Sequence, residues 1–253
     1  MIIALAQVQV FILAFTRIMA AAVQVPVVAG RAIPNRVRVP LGLLLAVLLV
    51  PWAPLEADAE PLGLFGFAAA LVREFVLGWA IGFVATLTFG AVQTAGEYVS
   101  TGGGFAAGRV INPAFDSAST AFDQLFLILA SLIFMSLNGH HLVLLGIAGT
   151  FRALPVAGPL PMFSLERLLT LSQSLLTAGL TLALPVLAAS LMADLTLGLL
   201  ARVAPQIQVF FLEAPLKVII VLVTLIASLG VIVPNLTALM RDIGPRMQWL
   251  AGM

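Results

Sequence analysis

The 253-residue chain is expected to be all-α, a polytopic membrane-type protein of helical hairpins with about six long hydrophobic helices. Three observations lead there. Of the residues, 62% are hydrophobic and 9% charged, with a mean hydropathy of +1.16; soluble domains run about 45–50% apolar and about 25% charged. The apolar residues fall in runs long enough to cross hydrocarbon, which takes about 20 residues at about 1.5 Å rise each. The interruptions are helix breakers. Pro51 and Pro54 stop one run, and Ser100–Pro113, with four glycines, a proline and Arg109, separates two others.

The first helix is expected over about Ile3–Val28 and the second over about Val39–Val50. The N-terminus lacks a positive region and a small-x-small cleavage site, so the first run reads as a retained helix and not as a signal peptide. The second run is short for a span. The third covers about Leu62–Tyr98, with Gly78, Gly82 and Gly90 allowing close helix approach. The fourth covers about Ala121–Phe151 and the fifth about Leu165–Val203, where Pro185, with Gly179 before it, predicts a kink or break. The sixth covers about Ala214–Met240. Segments three to five exceed a perpendicular crossing, and such uneven lengths suit packing against other subunits.

Charge adds a weak topology. The first link carries Arg31, Arg36 and Arg38 and the second Glu56, Asp58 and Glu60, which puts the first on the cytoplasmic side. Alternation then places Arg109 and Arg202 inside and Arg152, Arg167, Arg241 and Arg246 outside, nearly a balance. Charges also lie in or at the ends of apolar runs: Arg73, Glu74, Glu97, Asp123, Asp194, Glu213 and Lys217. Such groups are costly in a membrane and face protein or water. Either they pair between subunits or line a polar conduit, or they snorkel and pair locally. Glu213 and Lys217 have the favourable i,i+4 order for a helix ion pair. No partners within the chain are evident for the set, so the isolated chain is expected not to fold stably.

Little here suggests catalysis. With no cysteine, disulfides and thiolate chemistry drop out. Asn138-Gly-His-His141 places two histidines about 100° apart on a helix, a poor metal site, and a helix-end break with a polar cap is the simpler reading. There is no G-x-S-x-G elbow, and no lysine follows the glycines at 102–104 and 108 as a phosphate-binding loop requires. A net charge of +1 without a basic cluster gives no reason to expect nucleic-acid binding. The chain is read as non-enzymatic and cofactor-free.

The Ser100–Pro113 segment has two readings. Lipid does not tolerate irregular backbone, because each unpaired N–H or C=O costs several kcal/mol. The segment must therefore sit at an interface, line a cavity or be wrapped by protein. It is what a channel plug or gate needs, and also what a long turn looks like.

An ordered set of motifs resembles one family. Arg17 is followed by Pro26-Val27 and Pro34-Asn-Arg-Val-Arg38, then Arg73-Glu74, Gly78-x-x-x-Gly82 and Ala95-Gly96-Glu97. Next come the glycine-rich segment with Asn112-Pro113, Asn138-Gly-His-His141, Leu184-Pro-Val186 and Arg202-Val-Ala-Pro-Gln-Ile-Gln-Val-Phe210. This set, over about Val8–Asn235, resembles the FliR/SctT family of type III export-gate proteins. One departure is Gln208, where Asn is common in the family.

The resemblance implies one copy in a helical hetro-oligomeric export gate, beside FliP-like and FliQ-like subunits and an FlhB-like partner. That gate passes unfolded substrates through the bacterial inner membrane at the flagellar basal body. It implies a single export-gate domain, with a FliP-like half over about 1–160 and a FliQ-like hairpin over about 161–253. Carried onto this chain, the plug is Gly102, Gly103, Gly104, Phe105, Gly108, Arg109, Val110, Ile111, Asn112 and Pro113. The turn of the last hairpin, near the cytoplasmic entrance, is Pro205, Gln206, Gln208 and Phe210. The virulence branch of the family and a stand-alone transporter with broken helices are the rival readings.

Overall fold

The computed structural model describes residues 5–25, 34–49, 61–105, 121–156, 158, 165–206 and 209–252. These form eight helices and no strand: α1 Leu5–Ala22, α2 Asn35–Leu49, α3 Leu64–Gly102, α4 Ala121–Ser136, α5 Gly139–Ala153, α6 Leu165–Val203, α7 Val209–Arg241 and α8 Ile243–Leu250. By length and composition, α1, α3, α6 and α7 can each cross a membrane, and the bent pair α4–α5 can supply one more crossing. At 39 residues each, α3 and α6 rise about 58 Å, nearly twice a hydrocarbon core of about 30 Å. As expected, α2 falls short of a span at 15 residues.

Four expectations need correction. First, α3 runs to Gly102 and not to Tyr98. Second, the fourth segment is two helices. Asn138 takes the left-handed conformation (φ 52°, ψ 40°), which a short amide side chain tolerates better than most residues. Its carbonyl accepts the amides of His141 (2.8 Å) and Leu142 (3.2 Å), so backbone and not side chain starts α5. Third, α6 passes unbroken through Pro185. That proline removes one ladder donor, but the helix continues on both sides. Fourth, α7 begins at Val209, before the expected Ala214, and takes Pro215 and Pro234 inside.

Two compact units interleave along the sequence. One draws on Met1–Thr88, Asn138–Leu171 and Arg241–Met253, the other on Phe89–Leu137 and Ser172–Met240. In the first unit α1 lies directly on the backbone of α3. A Cβ at Gly78 would collide with the Arg17 carbonyl and Ala20, and one at Gly82 would come 2.5 Å from the Ala21 carbonyl oxygen. Around this seam Leu13, Ala14, Ile18, Ala21, Leu77, Ile81 and Ala85 are buried. Small residues let helices approach closely where no hydrophobic force separates helix from lipid. The short α8 packs on α5 in the same manner, with Gly244 close under the Leu142 carbonyl.

In the second unit Gly96 and Gly179 play this part. A Cβ at Gly96 would sit 2.8 Å from the Phe122 carbonyl, and one at Gly179 would sit 2.5 Å from that of Ala91. Gly179 is thus a packing residue. Phe89 and Phe134 meet edge to face at 5.5 Å between centroids. By contrast, Gly90 faces open space, so it is not one of the close-approach glycines.

These glycines can be separated by mutation. Gly82→Leu should destabilise the protein by roughly 1–3 kcal/mol, the usual range for overpacking, because the obstacle is backbone. Gly90→Ala should leave stability unchanged or raise it, by about 1 kcal/mol at most. Thermal unfolding in detergent reads both.

Candidate functional site: ion clusters and a glycine-capped helix end

The first unit buries a charged triad. Arg17 on α1 and Glu74 on α3 are fully buried, and Arg73 nearly so. Arg17 Nε donates to Glu74 Oε2 at 2.5 Å, and Arg73 Nη1 donates to Glu74 Oε1 at 2.9 Å. One carboxylate thus faces two guanidinium groups, leaving one positive charge in excess. The C-terminal end of α5 answers it. Arg17 Nη1 donates to the Leu154 carbonyl at 2.7 Å and lies 3.5 Å from that of Thr150, while Arg73 Nη2 reaches Pro155 O at 3.3 Å. The last carbonyls of a helix lack partners and carry the negative end of its dipole, so the surplus cation sits where it is most stabilised. The Phe151 ring completes the enclosure, 4.5 Å below the Arg17 guanidinium.

The second unit carries a more open cluster. Lys217 on α7 donates to Asp194 on α6 at 2.7 Å and to Glu213 one turn back at 2.8 Å. Both carboxylates are more than two-fifths exposed. The i,i+4 pair expected from the sequence is present, and Asp194 makes it a triad tying α6 to α7. The expectation that the charges lack partners within the chain is therefore corrected, and it no longer argues against folding alone. Glu97 and Asp123 also have interaction partners in the structure.

Beside Lys217 stands the start of the glycine-rich segment. The Gly104 amide donates to Thr101 O at 3.1 Å and the Phe105 amide to Ser100 O at 3.0 Å, with Gly104 at φ +78°. This paired pattern around a left-handed residue is the Schellman cap of a helix C-terminus. A side chain at Gly103 would meet Val221 and Phe105, and one at Gly102 would meet Leu187, with Ser190 next to it. The Phe105 ring stands edge-on to Phe122, 4.9 Å between centroids. Residues 102–105 are thus a seated helix end and not the beginning of an irregular loop. Gly108, Arg109, Val110, Ile111, Asn112 and Pro113 lie outside the described residues.

Pro205 and Gln206 lie in the turn after α6, Gln208 lies outside the described residues, and Phe210 already belongs to α7. Sequence reasoning missed the centre of the buried triad. Arg17 entered only as a motif position, and nothing in the spacing of Arg17 and Glu74 says that they meet.

Two substitutions rank these features. Glu74→Ala should cost about 3–5 kcal/mol, the loss typical of a buried pair stripped of one partner, and Lys217→Met about 0.2–1 kcal/mol, as for exposed pairs. Protease resistance of the solubilised protein against denaturant measures both. Gly104→Val should cost about 1–2 kcal/mol through the left-handed backbone alone, since a Cβ there lies 3.7 Å from Lys217 Cδ without a clash. Amide exchange over residues 100–105 should accelerate in that variant.

Comparison with known proteins agrees with the ordered motifs. The family model "Bacterial export proteins, family 1" matches residues 8–243. Flagellar biosynthetic protein FliR of Caulobacter vibrioides is 32% identical over 226 residues, covering 88% of this chain and 90% of that protein. The FliR protein of Escherichia coli K12 is 30% identical over 230 residues, covering 90% and 87%. Secretion system apparatus protein SsaT of Salmonella typhimurium is 31% identical over 167 residues, covering 65% and 64%. With nearly the whole polypeptide matched, this chain belongs to the bacterial export proteins, family 1.

Proposed function

We propose that the chain is a structural, pore-forming subunit of the flagellar type III protein export gate in the bacterial inner membrane. It assembles there with FliP-like, FliQ-like and FlhB-like subunits and passes unfolded substrates without catalysing a reaction. The coverage of flagellar relatives at 87–90% of their length, against 64% for the SsaT protein, favours the flagellar branch over the virulence one. The surface of α7 supports assembly. Its segment is the most apolar of the candidate spans, yet only 22% of that window is buried within the chain. Leu212, Leu216, Ile219, Val223 and Ile226 face outward, and exposed apolar faces of this extent require lipid or protein. The reading keeps the two-part organisation, FliP-like over about 1–160 and FliQ-like over about 161–253.

Within this reading, residues 102–113 close the pore. The observation that carries the assignment is the capped end of α3. Gly102–Phe105 is held against Leu187, Val221 and Phe122, which gives the residues after it a firm anchor. In the closed gate Val110 and Ile111 supply apolar contact, and Gly108 supplies backbone freedom. Deleting residues 106–112, which spares the cap, should raise ion conductance of the assembled complex in planar bilayers at least severalfold. Unchanged conductance in a complex of normal composition would remove the plug assignment.

A further inference from the structure

The first unit carries an open groove of about 850 Å³ that none of the gate features explains. Phe15 and Met19 of α1 and Val23 just after it line the groove with Phe75 and Trp79 of α3 and Val39 of α2. The volume falls within the roughly 300–1,000 Å³ of small-molecule clefts. Its lining is mostly apolar; near Phe15 the Thr16 hydroxyl is turned back onto the Ile12 carbonyl at 2.8 Å, and the other polar side chains, Gln24 and Thr86, lie together. There Gln24 Nε2 donates to the Trp79 carbonyl at 2.7 Å, and the Thr86 hydroxyl donates to the Gln24 carbonyl at 2.9 Å.

We propose that this groove holds one acyl chain of an anionic phospholipid, with the headgroup at Arg36. Three features select this occupant. The first is length. From Phe15 to Gln24 the α1 wall rises about 14 Å, which matches one leaflet, half of a hydrocarbon core of about 30 Å. The second is polarity, a mostly apolar lining in which Gln24 and Thr86 lie together while the Thr16 hydroxyl is satisfied within its own helix. The third is charge. Arg36 precedes the lining residue Val39 by three positions, so both occupy one face of α2, and Arg36 is exposed to solvent.

Direction along the hairpin agrees. A Cβ at Gly42 would run into the Met19 side chain, which registers α2 against α1. Val39, nearer the start of α2 than Gly42, lines the groove together with Val23 and Gln24, which lie beyond Met19 along the chain. The first turn of α2 also presents the positive end of its dipole there. Basic pockets between helices are where anionic headgroups bind. Trp79, half-exposed and stacked on Phe83 at 5.3 Å, lines the groove as the reporter.

The test uses the full chain with whatever subunits co-purify, reconstituted in phosphatidylcholine vesicles doped with brominated phosphatidylglycerol or brominated phosphatidylcholine. The Trp79 signal is the tryptophan quenching lost in Trp79→Phe. Brominated phosphatidylglycerol should quench it at lower mole fraction than the choline lipid. Arg36→Gln should lower that preference about fivefold, the effect expected of one arginine at a membrane surface, and Arg36→Lys should retain most of it. Val23→Phe, which narrows the groove, should weaken quenching by both lipids. Equal quenching by both lipids in the unaltered protein, or a preference that survives Arg36→Gln, overturns the proposal. Absence of Trp79 quenching in the intact complex also overturns it, because a partner subunit then covers the groove.

Discussion

A full charge placed beyond the reach of water has to be answered by protein, and in the first unit that demand converges on Arg17. Its guanidinium draws together a carboxylate from α3, the terminal carbonyls of α5 and the ring of Phe151. The seam where α1 touches the backbone of α3 passes through the same residue, since Gly78 packs under the Arg17 carbonyl. The backbone of Arg17 thus fixes how near the helices come, and its side chain fixes which helix end they meet. A hydrophobic side chain could fill the volume, but it could not select a partner. In some proteins buried ionic groups add specificity of arrangement more than net stability.

The second unit uses charge differently. Lys217 lies between two carboxylates that both remain in contact with the surroundings, so little desolvation has to be overcome. Its effect is to hold α6 and α7 at one register near the capped end of α3. Where the first unit hides its ions and depends on them, the second displays them along otherwise apolar helices. The contrast fits a chain whose outer faces are meant to be covered by something other than itself.

Much of this was legible in the sequence. Six apolar runs located seven of the eight helices, because hydrophobic length survives any detail of packing. Gly78 and Gly82 were read correctly as close-approach residues, since their i,i+4 spacing puts both on one helix face. Gly90 was misread, and the packing role of Gly179 missed, for the same reason that Arg17 was overlooked: what a residue touches depends on a partner distant in sequence. The break at Asn138 and the continuity at Pro185 invert simple expectation. A left-handed asparagine ends a helix without any proline, while a proline costs one hydrogen bond that surrounding packing can absorb. The glycine-rich segment was legible as unusual but not as a cap, because the cap depends on which single glycine takes positive φ.

The contact between Phe105 and Phe122 joins the capped end of α3 to the first turn of α4. Two helix ends that share one aromatic pair cannot shift independently, so a displacement of either is passed directly to the other.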